Sequence, residues 1–215
     1  VSGNTAIGHY ALQANTTGVE NVAVGYQALY TPTAGNDNTA VGYQALYANT
    51  SGGTNQAMGY RALYANTTGN ENVALSAYSM LSNTTGSYNV AVGTSALRFN
   101  TTTGDNTAVG HQALYSNTAN YNTAVGVRAM YLNTSGTQNA AFGQDVMGSN
   151  TTGSYNAAFG AAGALNGNTT GSNNTAVGNN ALRVNTTASD NTAVGYESAY
   201  SNTTGTLNTS VGGNS

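Results

Sequence analysis

Five acidic residues, Glu20, Asp37, Glu71, Asp105 and Asp190, each stand immediately before an asparagine, at one recurring point of the sequence. Carboxylates stacked at one phase could share a cation. A calcium site, however, takes six to eight oxygens, and Glu20 with Asp37 supplies too few, so a solvated turn is the expected role. His9 and His111 share another phase, and six repeats at one strand spacing each put them about 29 Å apart, too far for a common metal or catalytic step. With no cysteine in the chain there is neither a thiolate ligand nor a disulfide. No grouping supplies nucleophile, base and oxyanion donors together, and the chain is expected not to be an enzyme and to need no cofactor or metal. The tyrosines are the stronger candidates for contact with a ligand. Tyr26, Tyr43 and Tyr60 fall on one phase, and Tyr30, Tyr47 and Tyr64 on another, in the same three repeats. Such rows either stack on themselves and stiffen a sheet or present an aromatic patch to a sugar ring or a partner protein.

The phases come from a repeat that runs through all 215 residues. Its clearest copy is Asn38-Thr-Ala-Val-Gly-Tyr-Gln-Ala-Leu-Tyr-Ala-Asn-Thr-Ser-Gly-Gly-Thr54. The leading asparagine recurs as Asn4, Asn21, Asn38, Asn55, Asn72 and onward to Asn208. The step is 17 residues, except 16 from Asn106 to Asn122 and 18 from Asn156 to Asn174. A fixed period sets the architecture before any local propensity does. Two helices do not fit into 17 residues that also hold a glycine and an Asn-Thr-Thr-Gly corner, whereas a β-solenoid coil of two short strands does. The fold class expected is therefore all-β, a parallel β-solenoid of about 12 coils, forming one continuous array over residues 1–215. Both ends look cut from a longer fibre.

Composition agrees. Charged residues are only 5% and lysine is absent; in ordinary soluble domains charged residues are roughly 25%. In-register stacking would set like charges about 4.8 Å apart, where they repel, while asparagine amides at that spacing hydrogen-bond as a ladder. Ladders are expected for Asn21, Asn38, Asn55 and Asn72. The four scattered arginines form no basic patch for nucleic acid, and no apolar run of about 20 residues could span a membrane.

Two apolar files follow from the period. Three residues after each leading asparagine comes a larger side chain such as Val24 or Val41; eight after comes Leu29, Leu46 or Leu63. These are expected to meet inside the coil. Successive strand side chains point to opposite faces, so the small residues on either side of the valine, as in Ala40 and Gly42, Ala91 and Gly93, or Ala108 and Gly110, are then left outside as a candidate subunit contact. A core this thin favours association with further copies, and closed rotational symmetry would satisfy a long repeated face. The Asn-Thr-Thr-Gly corners are expected to use the tolerance of Asn and Gly for left-handed backbone. The same segments match the glycosylation pattern at Asn15, Asn66, Asn83, Asn150, Asn168, Asn185 and Asn202. Pro32, at that asparagine's place in the second repeat, would donate no ladder hydrogen bond.

The Asn-Thr-Ala-Val-Gly segments, at 38–42, 106–110, 122–126, 174–178 and 191–195, resemble the head repeats of YadA-type trimeric autotransporter adhesins and related repeats of phage tail fibres. The resemblance extends over the whole chain. It implies a left-handed β-roll, a side-by-side homotrimer, and a place on a cell surface or virion outside the cell. The family's usual coil is shorter; here each carries an additional Asn-Thr-Thr-type segment.

The function expected is a structural and adhesive fibre segment, a stalk or head that acts as a rigid spacer and contacts a glycan or protein receptor. An end-to-end extracellular filament is the alternative. Ice binding is a third, poorer fit, because the paired threonines (Thr16-Thr17, Thr67-Thr68, Thr84-Thr85) are adjacent and would point opposite ways in a strand.

Overall fold

The computed structural model describes residues 2–215, which form thirteen short parallel strands and no helix. The chain is a β-solenoid with one strand per turn. Two compact units divide it, Val1–Asn106 and Thr107–Ser215.

The first unit contains β1 (Thr5–Ile7), β2 (Val22–Val24), β3 (Thr39–Val41), β4 (Gln56–Met58), β5 (Val73–Leu75) and β6 (Val90–Val92), paired in that order. Register is like over like: Ala23 pairs with Ala40, Ala40 with Ala57, and Ala57 with Ala74. The second unit holds β7 (Thr107–Val109), β8 (Thr123–Val125), β9 (Ala140–Gln144), β10 (Ala157–Ala162), β11 (Thr175–Val177), β12 (Thr192–Val194) and β13 (Thr209–Val211), again in sequence order. Its one irregularity is a register shift between Phe159 and Ala162 against β9, in the 18-residue repeat.

Only one strand forms per coil, not the two expected. The rest of each turn is held by coil-to-coil backbone hydrogen bonds outside regular strand, such as Leu29 N to Ala45 O at 3.0 Å, Thr50 N to Thr67 O at 2.9 Å and Glu71 N to Gly53 O at 3.1 Å. These satisfy backbone polar groups that would otherwise be costly to bury.

The leucine file lies inside the coil as expected, but on the strand the inner side is the reverse of the expectation. Ala23, Ala40, Ala57, Ala74, Ala91 and Ala108 are fully buried, as are the alanines seven after each leading asparagine (Ala28, Ala45, Ala62) and the file Leu29, Leu46, Leu63. The valine file points outward: Val24 and Val41 are half-exposed, and Met58 and Phe159 are exposed. Ala40, Ala91 and Ala108 are therefore core residues of their own coil and cannot be the subunit contact. Gly42, Gly93 and Gly110 owe their identity to the backbone instead. At this phase every glycine but Gly160 has φ between 123° and 141°, and a Cβ on Gly42 would stand 2.5 Å from the carbonyl oxygen of Gly59. Alanine on the inner side lets the walls of a narrow coil come together, and leucine fills what remains, contributing about 1.5–3 kcal/mol per buried side chain.

One coil breaks the glycine rule. Ser76 adopts φ 114° at this phase. Ser76→Gly is expected to raise stability by about 1–3 kcal/mol, the cost of a non-glycine residue in such backbone, measurable as a shift in the urea midpoint at unchanged slope.

The left-handed residues also differ from expectation. They are the residue before each leading asparagine, as at Asp37 (φ 58°), and those six and eight after it, as at Gln44 and Leu46 (both 52°). The corner glycines such as Gly69 are not left-handed; they are small because a Cβ there would lie 2.3 Å from Gly86 O.

Two asparagine files run through the interior. Asn38, Asn55 and Asn72 are fully buried; each Oδ1 accepts the backbone N–H of the next asparagine in its file, as Asn38 Oδ1 does from Asn55 N at 3.0 Å. The second file is the corner asparagine. Asn66 Nδ2 donates to Asn49 Oδ1 at 2.9 Å and to Gly69 O at 3.0 Å, and Asn83 Nδ2 repeats the pattern. A glycan on these buried amides has no room in the folded coil. At Pro32 the second file is interrupted, and buried Thr33 takes over part of the task by accepting from Gly35 N at 3.1 Å.

Candidate functional site

The turn that follows each strand carries the tyrosines. In the first unit Tyr26, Tyr43 and Tyr60 lie five residues after their leading asparagines. Their ring centroids are 5.3 and 5.0 Å apart with interplanar angles of 11° and 6°. Tyr30, Tyr47 and Tyr64 form the second ladder at 5.2 and 5.1 Å. Vertical registry makes both ladders, because identical phases in successive coils differ by one strand spacing. The first is about 40% exposed and the second is half-buried. Burial, with Tyr64, Tyr30 and Tyr26 as secondary causes, raises the Tyr47 phenol above its ordinary value.

A third file, at the phase six after the leading asparagine, belongs with these ladders and was not anticipated. Gln44 Nε2 donates to Gln27 Oε1 at 2.8 Å, and Arg61 Nε donates to Gln44 Oε1 at 2.9 Å. The Arg61 guanidinium carbon lies 5.5 Å from the Tyr60 ring centroid and 5.2 Å from that of Tyr64, so it touches both ladders. In the first coil Tyr10 holds this phase, 6.2 Å from both Tyr26 and Tyr30. The recurrence of glutamine at 27, 44 and 112 was the available sequence signal. Together the three files make a surface of stacked, partly exposed phenol rings and amide groups, which offers aromatic contact and hydrogen bonds to a ligand.

The remaining candidates stay separate. Glu20, Asp37, Glu71, Asp105 and Asp190 are all exposed corner residues with left-handed backbone, and no group of three or more potential metal ligands occurs among the described residues. His9 packs against Tyr10 at 3.6 Å between centroids, in the first unit, while His111 is an exposed residue of the second. The first threonine of each pair bonds its hydroxyl to the next coil, as Thr67 Oγ1 does to Thr84 O at 2.9 Å and Thr84 Oγ1 to Thr101 O at 3.0 Å. Those hydroxyls are committed to the fold. Among the described residues no helix is long and apolar enough to cross a membrane.

Comparisons with protein-family models, with curated proteins and with solved structures give no match to this chain.

Proposed function

We propose that the chain is a structural and adhesive fibre segment: a stiff spacer outside the cell or on a virion that assembles side by side with further copies and carries a glycan- or receptor-contacting face. The observation that carries this reading is the outward valine file. Ile7, Met58, Phe142, Phe159, Val177 and Val194 are 36–61% exposed, each on the outer side of its strand. A soluble chain rarely leaves so regular an apolar row uncovered, and a repeated contact between copies would bury it. The homotrimer implied by the adhesin resemblance is the arrangement we favour. Coil-to-coil backbone bonds and two buried asparagine files supply stiffness without disulfide or metal. The tyrosine ladders are the candidate contact for a glycan or receptor.

Sedimentation tests the assembly. The wild-type chain is expected to sediment as an oligomer, and Met58→Glu with Phe159→Glu, two exposed positions on non-adjacent strands, as a smaller species with unchanged circular dichroism. A wild-type particle of 21.6 kDa, a single chain, would overturn the side-by-side reading. Electron microscopy separates the alternative, since growth without fixed length would favour an end-to-end filament. For the ladders, Tyr43→Ala is expected to weaken binding on a glycan array by about tenfold, one stacking contact being worth on the order of 1 kcal/mol; equal binding by both proteins removes the tyrosines from the contact.

A further inference from the structure

In the second unit the tyrosine file stops and a cleft opens where it stops. Tyr115 and Tyr131 stack at 4.9 Å, but the next coil carries Gly148 at that phase, and the file continues as Asn166 and Arg183. No ring therefore covers the far face of Tyr131. The residue inserted into the coil that begins at Asn156 shifts the register beyond Phe159, and Ala162 and Gly163 of that coil line the same place. The resulting cleft of about 360 Å³ is lined by Arg128, Tyr131, Asp145, Gly148, Asn166 and Arg183. Its volume is within the range of small-molecule sites, about 300–1,000 Å³.

Its charges are unusual for this chain. Two of the four cations line one cleft, and they are not equivalent. Arg128 is held side-on by Asp145, Nε to Oδ1 at 2.8 Å and Nη2 to Oδ2 at 3.0 Å, the one ion pair among the described residues. Arg183 has no carboxylate. Its Nη1 donates to the neutral Asn180 Oδ1 at 2.7 Å, which fixes the guanidinium above Gly163. The cleft thus offers an uncompensated guanidinium, a tyrosine face and the Asn166 amide.

We infer that this cleft binds an acidic sugar residue, its ring stacked on Tyr131 and its carboxylate held by Arg183. A guanidinium pairs with a carboxylate through two parallel N–H donors, and an aromatic face takes the C–H side of a pyranose. Asn166 Nδ2 already donates to Asp145 O at 2.5 Å, which orients the amide, and its second N–H and its Oδ1 supply donor and acceptor to the ring hydroxyls. Neither group alone selects this class: a neutral sugar leaves Arg183 unpaired, and a simple carboxylate leaves Tyr131 uncovered. The site lies within the second unit and does not depend on the tyrosine ladders of the first.

The test is titration of the whole chain with galacturonate, galactose and acetate, followed by amide chemical shifts. Galacturonate is expected to bind with a dissociation constant on the order of 1 mM, and galactose and acetate each about tenfold more weakly, moving Gly148 and Asn166 resonances. Arg183→Gln should reduce galacturonate affinity to that of galactose. Gly148→Tyr restores the ring that the file lacks and should abolish binding. Gly148 has no left-handed backbone, and the only atom a Cβ would crowd below 3 Å is Asn166 Nδ2 at 2.9 Å, a side-chain end that would have to give up its bond to Asp145 O. Should that variant fail to fold, exposed Arg183→Gln still decides the matter. No binding of galacturonate, equal binding of all three probes, or binding unaffected by Arg183→Gln overturns the proposal.

Discussion

Asn55→Ala is expected to destabilise the first unit by about 1–3 kcal/mol, although it removes a small polar side chain and no apolar one. Asn55 is fully buried and sits between two copies of itself. Its Oδ1 accepts from Asn72 N and Asn72 Nδ2, both at 3.1 Å; its Nδ2 donates to Gly69 O at 2.8 Å and Asn38 Oδ1 at 3.1 Å. Truncation leaves the Asn72 N–H unpaired in the interior, at a cost of about 1–3 kcal/mol, while Gly69 O keeps its bond from Asn66 Nδ2. Asn55→Asp tests the same point with the shape preserved: a carboxylate oxygen would face Gly69 O and Asn38 Oδ1, acceptor against acceptor. Urea unfolding gives the size of the loss, and hydrogen exchange its place, with amides of residues 38–72 losing protection first. Equal stability of wild type and Asn55→Ala would mean that the file is a consequence of stacking rather than a cause of it.

Ala57→Leu and Met58→Ser should have opposite outcomes one residue apart. Ala57 is fully buried and paired between Ala40 and Ala74, so added methylenes meet a closed wall. Overpacking of this kind costs about 1–3 kcal/mol and more where the backbone cannot move. Met58 is 47% exposed, and Met58→Ser should change the unfolding free energy of the dissociated chain by no more than about 0.5 kcal/mol. Its effect belongs to association, where a serine in the outward file weakens contact between copies. Denaturant unfolding at low and high protein concentration separates the two contributions. A core built on the valine file would reverse the order, with Met58→Ser the damaging change.

Much of the solenoid was legible because a strict period leaves little freedom. Asn over Asn, Ala over Ala and Tyr over Tyr follow from equal spacing alone, and the two irregular steps were visible as a missing and an added residue. The added one became the register shift beyond Phe159. What periodicity could not give was the inner side of the strand. Alternation says that Ala40 and Val41 face opposite ways; hydropathy then favours the larger residue inside. The coil is narrower than that rule assumes, because walls joined by backbone hydrogen bonds all round leave room for alanine and one leucine, and the valine is turned out.

Left-handed backbone was hidden for a related reason. Local preference assigns it to Asn and Gly, but closure of each coil requires it at Gln44, Leu46 and Asp37 whatever their side chains prefer. Tertiary context overrides propensity here, since the stacked backbone bonds of many coils fix the conformation of each one. The cleft at Tyr131 lies furthest from the sequence. Arg128 with Tyr131, Asp145 with Gly148, Asn166, and Arg183 come from four successive coils, and only vertical stacking brings two guanidinium groups and an uncovered ring to one place. The period alone dictates that the chain stacks and what stacks on what; which face is buried and where the stacking fails depend on the width of the coil, which only the folded chain reveals.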